Sequence, residues 1–152
     1  MERVVDIERK SFKYPYTEST FLYHLLMNPE GFLVAEKNKQ VVGYVIGMGV
    51  GRKGVVISLA VSPRFKRKGI GSKLINGILD YLMGATEYVE VQVRMGNNPA
   101  LKFYQSLGFK KEGILENYYP DGEDAVVMRY PARINSVALS SSPDTVPSLS
   151  PP

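Results

Sequence analysis

Residues 61–74 read Val-Ser-Pro-Arg-Phe-Lys-Arg-Lys-Gly-Ile-Gly-Ser-Lys-Leu and carry the most specific chemistry in the chain. Lys66, Arg67 and Lys68 set three positive charges side by side, and Gly69 and Gly71 follow. Ahead of them runs an apolar stretch, Val55-Val56-Ile57-Ser58-Leu59-Ala60-Val61, of strand length and β-branched composition. Behind them, Ile70, Leu74, Ile75, Ile78, Leu79 and Leu82 recur at helical spacing. A basic loop between a buried strand and a helix start points backbone N–H groups and the helix dipole at one place. Such a loop binds anions, and its glycines let a diphosphate approach the backbone. A solvated basic turn is the plain alternative, but the strand–loop–helix order favours the phosphate loop.

Composition removes several other chemistries. The chain has no cysteine, so disulfides, thiolate metal sites and an acyl-cysteine intermediate are excluded. His24 is the sole histidine, which argues against a zinc site or any resident metal. Nineteen basic against 15 acidic residues leave a net charge of +4, and much of that excess sits at 64–68 rather than along a face. A local excess argues against nucleic acid as the partner. The longest apolar run, 41–50, contains glycines and is too short to cross a bilayer. The N-terminus lacks a signal-peptide pattern, so the cytoplasm is the expected location. Gly49, Gly51 and Gly54 match G-x-G-x-x-G, but a strand follows them, and Ser72, Lys73 and Leu74 stand where an acidic residue belongs. They read as a hairpin turn.

The elements that must position the loop can be placed in order. Val4, Val5, Ile7, Glu8 and Phe12 predict a helix over 2–12. Tyr14-Pro15-Tyr16 breaks it, and Thr17 or Ser19 caps a second helix ending at Met27. Phe21, Leu22, Leu25 and Leu26 are its expected apolar face, with His24 on the surface. Strands over 32–36, 41–50 and 55–61 form an antiparallel meander. A helix over 71–83 ends at Gly84, and a strand over 88–94 carries Glu90, Gln92 and Arg94 on its polar face. Asn98 is the expected cap of the next helix, with Pro99 in its first position and Ala100, Phe103, Tyr104 and Leu107 as its stripe. Strands over 109–118 and 124–130 close the fold. Beyond Pro131 the composition turns Ser/Pro-rich, so one domain over 1–131 is expected, then a disordered tail over 132–152 with a candidate strand at 133–139.

Three segments together resemble the GNAT acetyltransferases, which move an acetyl group from acetyl-CoA to an amine. Leu59-Ala60-Val61-Ser62-Pro63, then Lys66-Arg67-Lys68-Gly69-Ile70-Gly71, matches the family's Gln/Arg-x-x-Gly-x-Gly/Ala loop. Val93-Arg94 followed by Asn97, Ala100, Tyr104, Gly108 and Phe109 matches a second signature. Asn117-Tyr118-Tyr119-Pro120-Asp121-Gly122-Glu123-Asp124-Ala125 is similar to the N-terminal acetyltransferase branch, including RimI-like enzymes and their archaeal relatives, as is Pro15-Tyr16-Thr17-Glu18. The resemblance implies an α/β (α+β) GNAT fold: a central mixed, mostly antiparallel sheet flanked by helices, here with the first strand missing. The segment 133–139 is the expected cover for the sheet edge left open. Also implied are acetyl-CoA as cosubstrate and a protein or peptide N-terminus as substrate, ribosomal proteins among the options, attacked directly in a ternary complex. Monomer and homodimer both stay open.

The resemblance also assigns roles. Leu59, Ala60 and Val61 would hold the acetyl carbonyl and pantetheine arm, and Lys66, Arg67, Lys68, Gly69, Ile70 and Gly71 the diphosphate. Asn97 would contact CoA, and Tyr104 would protonate the departing thiolate. Tyr118 and Tyr119 would line the groove for the substrate's first residues, with Tyr14 and Tyr16 opposite. Core packing is the competing explanation of Tyr104, and ordinary strand positions that of Tyr118 and Tyr119. Two departures stand out. Lys66 replaces the loop's Gln or Arg, and Gln92 stands where RimI-like enzymes carry a glutamate base. An amide cannot take a proton at neutral pH. Glu90, about 7 Å back along the same strand face, and Glu18 are the candidate replacements, beside a backbone carbonyl or water. A small amine as substrate, a non-catalytic acetyl-CoA-binding module and a basic-loop nucleic-acid binder are the alternatives.

Overall fold

The computed structural model describes residues 1–131. The elements run α1 (Glu2–Ser11), α2 (Glu18–Met27), β1 (Phe32–Lys37), β2 (Gln40–Val50), β3 (Lys53–Val61), α3 (Ile70–Met83), β4 (Tyr88–Arg94), α4 (Asn98–Ser106), β5 (Lys110–Leu115) and β6 (Ala125–Tyr130). The strands form one sheet in the order β1-β2-β3-β4-β6-β5, in which every neighbouring pair is antiparallel except β3–β4. This is the mixed, mostly antiparallel sheet with flanking helices that the resemblance implied.

Alternation along the strands supplies apolar side chains to both faces. On one face Val89, Val91 and Val93 of β4 pack with Leu74, Ile75, Ile78, Leu79 and Leu82 of α3 and with Tyr104 and Phe109. On the other, Val4, Val5 and Ile7 of α1 and Phe21 of α2 cover Tyr44, Ile46, Val55, Ile57 and Ala60. Two layers of helix on one sheet bury the core.

The functional consequence lies in the parallel pair. β3 and β4 bond only at Lys53–Tyr88, Gly54–Val89 and Val55–Glu90. Beyond that point each strand stays paired with its other neighbour, β3 with β2 as far as Val61 and β4 with β6 as far as Arg94. The sheet is therefore split from one end between its two central strands. A bulge adds to the opening: Gly47 faces Val56 and Ile46 faces Ser58, which leaves Ile57 as the extra residue of β3. The alternation shifts by one there, so Ser58 shares the α1 face with Val55, Ile57 and Ala60.

Some expectations need correction. In α2 it is Phe21 and His24 that are buried, while Leu22, Leu25, Leu26 and Met27 are exposed. The i, i+3 pair Phe21/His24 meets the sheet, so of the four-residue apolar face read from the sequence only Phe21 is covered among the described residues. His24 is a core side chain, and burial lowers its pKa. Asn97, not Asn98, caps α4, its side chain accepting the Ala100 N–H at 3.2 Å. The last strand pair is shorter than expected, since β5 ends at Leu115. Among the described residues β1 is an edge strand paired with β2 alone. The segment 133–139 proposed to cover it, and the tail over 132–152, lie outside the described residues.

Candidate active site

The split between β3 and β4 opens into a cavity of about 660 Å³. β3 lines it along 55–61, β4 through Val91, Gln92, Val93 and Arg94, and α4 through Pro99, Ala100, Phe103 and Tyr104. The basic loop closes one end and Ser11, Phe12, Tyr16 and Tyr119 the other. Strand backbone that faces a split rather than a neighbour keeps its N–H and C=O groups for a ligand.

The loop is built as its sequence demands. Pro63–Phe65 make a 3-10 turn, Arg67 takes a φ of 62° and Gly69 one of 81°, and α3 begins at Ile70. Gly69 is the N-cap in a left-handed conformation that costs glycine little. The first N–H groups of α3 have no intrahelical partner and stand at the cavity with Gly69, Gly71 and Ser72. Lys66 and Arg67 line the same wall. Lys68 does not: its ammonium lies 5.6 Å from the centre of the Phe65 ring. Ile70 packs instead against the α3 core cluster. Gly71 is small for a reason besides a ligand, because a Cβ there would come 3.2 Å from Phe103 Cζ.

Tyr104 is buried, with Phe103 edge-on at 5.1 Å and Phe109 at 5.2 Å between ring centres. It is thus both a core residue and a cavity residue. Burial pushes its phenol pKa well above the ordinary value, so it stays protonated at neutral pH. Asn97 lines the cavity too, although its side-chain oxygen already caps α4.

The far end is a polar clasp between the 12–17 segment and the β5–β6 hairpin. Arg94 Nη1 donates to Asp121 Oδ2 at 3.0 Å and to Glu123 Oε1 at 2.7 Å. The Arg94 guanidinium lies 4.0 Å over the Tyr119 ring and 5.7 Å over Tyr14. Lys13 reaches across to Asp121 Oδ2 at 3.1 Å. Glu123 also accepts the Gly96 N–H at 2.8 Å, which ties the β4–α4 loop to the hairpin. Hydrogen bonds from the Glu123 N–H, Lys13 and Arg94 hold the Asp121 carboxyl down at about 2. Burial pushes the Tyr119 phenol up to about 12, against the nearby Arg94 charge. Of the tyrosines assigned to the groove, Tyr16 and Tyr119 line it. Tyr14 lies outside, under Arg94, and Tyr118 sits edge-on to Tyr119 at 5.2 Å.

Gln92 lines the cavity, but neither candidate base does. Glu90 belongs to the stretch where β3 and β4 still pair, and it accepts a bond from Lys53 Nζ at 2.8 Å. Glu18 is exposed in the first turn of α2. The cavity wall carries Lys66, Arg67 and Arg94 and no carboxylate among the described residues. Sequence reading missed Ser11, Phe12, Ser58, Phe65 and Phe103 as wall residues, and Arg94 as the centre of the clasp. Arg94 alone had left a sign, a basic residue closing an alternating strand.

A split mixed sheet with a basic loop at one mouth and an aromatic, basic groove at the other is the arrangement that the comparisons place in a family. The sequence profile of the acetyltransferase (GNAT) family matches residues 1–109, and the chain belongs to that family. It is 34% identical over 145 residues to an N-alpha-acetyltransferase of Sulfurisphaera tokodaii, covering 86% of this chain and 87% of that one. It is 33% identical over 131 residues to the ribosomal protein bS18-alanine N-acetyltransferase of Escherichia coli, covering 82% and 86%. The crystal structure of Ard1 from Thermoplasma volcanium superposes with a TM-score of 0.79 at 32% identity, covering 84% and 88%. Among the described residues there is no cluster of side chains fit to hold a metal, and no helix long and apolar enough to cross a membrane.

Proposed function

We propose that this acetyltransferase acts on the N-terminal α-amine of a protein or peptide, taking the acetyl group from acetyl-CoA by direct attack in a ternary complex. One observation carries the reading. The cavity leads from the basic loop through the split sheet to a groove walled by Tyr16, Tyr119 and Arg94. Such a passage suits an extended donor entering at one end and a peptide end at the other. The absence of acidic wall residues among those described argues against a polyamine or other cationic small molecule. Likeness to N-alpha-acetyltransferases supports the same substrate class, and ribosomal proteins are one source of such N-termini.

Acetyl-CoA supplies an activated acyl thioester. Lys66, Arg67 and the free N–H groups at the start of α3 would hold its diphosphate. Leu59, Ala60 and Val61 would offer β3 backbone N–H groups to the acetyl oxygen, where negative charge grows. Tyr104, kept protonated by burial, would give its proton to the leaving sulfur. No covalent acyl-enzyme is needed, which agrees with a chain lacking cysteine. Thiol release from acetyl-CoA tests the proposal, using peptides of varied first residue beside spermidine and glucosamine. Turnover with peptides is expected. Turnover with the small amines alone would refute it.

A further inference from the structure

Glu8 lies with Val4, Val5 and Ile7 on the buried face of α1 and is fully enclosed. A carboxylate there is costly unless it is hydrogen-bonded. Its Oε1 accepts Ser58 Oγ at 2.8 Å and the Tyr44 hydroxyl, and its Oε2 accepts the Tyr16 N–H at 2.9 Å. Among the described residues no cation comes within ion-pair distance. The titratable groups facing it are phenols: Tyr44 from β2 and Tyr16 from the 12–17 segment, with Tyr118 and Tyr119 of the hairpin beyond Tyr16. β3 presents only Ser58. Burial raises the Glu8 pKa against the three hydrogen bonds that lower it.

Two of the partners, Ser58 and Tyr16, line the cavity. The β3 bulge at Ile57 is what turns Ser58 toward Glu8. Beside Ser58 the cavity wall offers an incoming α-ammonium three cations, the amides of Gln92 and Asn97 and neutral hydroxyls, and no carboxylate or imidazole among the described residues. We propose that Ser58 and Glu8 form the proton exit of the site: Ser58 Oγ accepts a proton from the α-ammonium while its own hydroxyl proton passes to Glu8 Oε1. The inference rests on the N-α-acetyltransferase reading above.

The step balances. The ammonium N–H bond breaks and leaves its electron pair on nitrogen. One O–H bond forms on Ser58 as another breaks, and a third forms on Glu8. Ammonium and carboxylate become neutral amine and neutral acid, and the nitrogen pair is free to attack. Glu8 returns the proton to water by the same route after the product leaves. Ser58 touches the substrate. Glu8 acts through it and is a positioning residue.

The test compares Ser58→Ala, Ser58→Thr and Glu8→Gln with the wild-type protein, using two peptides. One ends in an ordinary α-amine and the other in an aminooxy group, which is neutral at pH 7. With the amine, Ser58→Ala and Glu8→Gln are expected to lower kcat/KM about 10²-fold, with unchanged KM for acetyl-CoA and a rate that climbs steadily with pH. Ser58→Thr keeps the hydroxyl and the rate. With the aminooxy peptide the losses shrink to within about threefold, which a merely structural role does not produce. In the free protein, a 13C-carboxyl label is expected to show Glu8 titrating above the usual carboxylate range, and Ser58→Ala is expected to shift that titration. Equal losses for both peptides, or no loss, overturn the relay and leave the N-terminal reading standing. A wild-type protein that acetylates no peptide overturns both. If Glu8→Gln does not fold, Ser58→Ala decides alone.

Discussion

Replacing Glu90 by glutamine separates a structural carboxylate from a catalytic one. Glu90 pairs with Lys53 at 2.8 Å, and their side chains are 13% and 8% exposed. Breaking so buried a pair costs about 3–5 kcal/mol, because the remaining charge is left in low dielectric. Glutamine has nearly the same volume and still accepts one hydrogen bond from the Lys53 ammonium without neutralising it, so the expected cost is about 2–3 kcal/mol. At about 4 °C per kcal/mol for a domain of this size, the melting temperature should fall by about 10 °C. Lys53→Met added to Glu90→Gln should recover most of that fall, since a neutral pair of similar volume carries no stranded charge. The assays are thermal unfolding by circular dichroism and the pH profile of acetylation at 25 °C. Stability should drop while the profile keeps its shape. An unchanged melting temperature with a collapsed rate would refute the reasoning and return Glu90 to the chemistry.

Tyr104→Phe keeps the ring between Phe103 and Phe109 and removes only the hydroxyl, so kcat is expected to fall about 10²-fold with little change in melting temperature. Steady-state kinetics beside thermal unfolding check this, and a large loss of stability at full kcat would mark Tyr104 as packing alone. Lys66→Ala with Arg67→Ala should weaken CoA binding about tenfold and flatten its salt dependence, read by calorimetry at two ionic strengths. The Asp121 carboxyl is held at about 2 by the Glu123 N–H, Lys13 and Arg94. Because that value lies below the unfolded one, Asp121 contributes stability at neutral pH that is lost as pH falls from about 4 to about 2. An NMR titration of Asp121 should show the low value, and Arg94→Met should move it back toward the ordinary range.

Much of the fold was legible because each element's period agreed with its surroundings. β4 is an example: Val89, Val91 and Val93 alternate with Glu90, Gln92 and Arg94, and the observed strand has the expected bounds. The basic loop between β3 and α3 was legible for the same reason, since left-handed geometry and free N–H groups leave glycines and cations in the sequence. The split between β3 and β4 was not. Strands that separate after three pairs have the composition of strands that stay together. In α2, four large apolar residues outweighed His24 by hydropathy, yet only the i, i+3 pair Phe21 and His24 meets the sheet. Glu8 counted only as part of the pattern that predicts α1, and its partners Tyr44 and Ser58 lie 36 and 50 residues away. Glu90 shares a face with Gln92, but its partner Lys53 comes from the neighbouring strand. Pairings across the sheet decide such side chains, and no local period records them.

The central claim is that the acceptor is an α-amine. Its most direct test is one peptide carrying both a free N-terminus and an internal lysine, incubated with the protein and acetyl-CoA and read by fragment-ion mass spectrometry. The account predicts acetylation of the N-terminal nitrogen, abolished when that nitrogen is blocked beforehand. Acetyl groups on the lysine side chain, with the free N-terminus untouched, would contradict it.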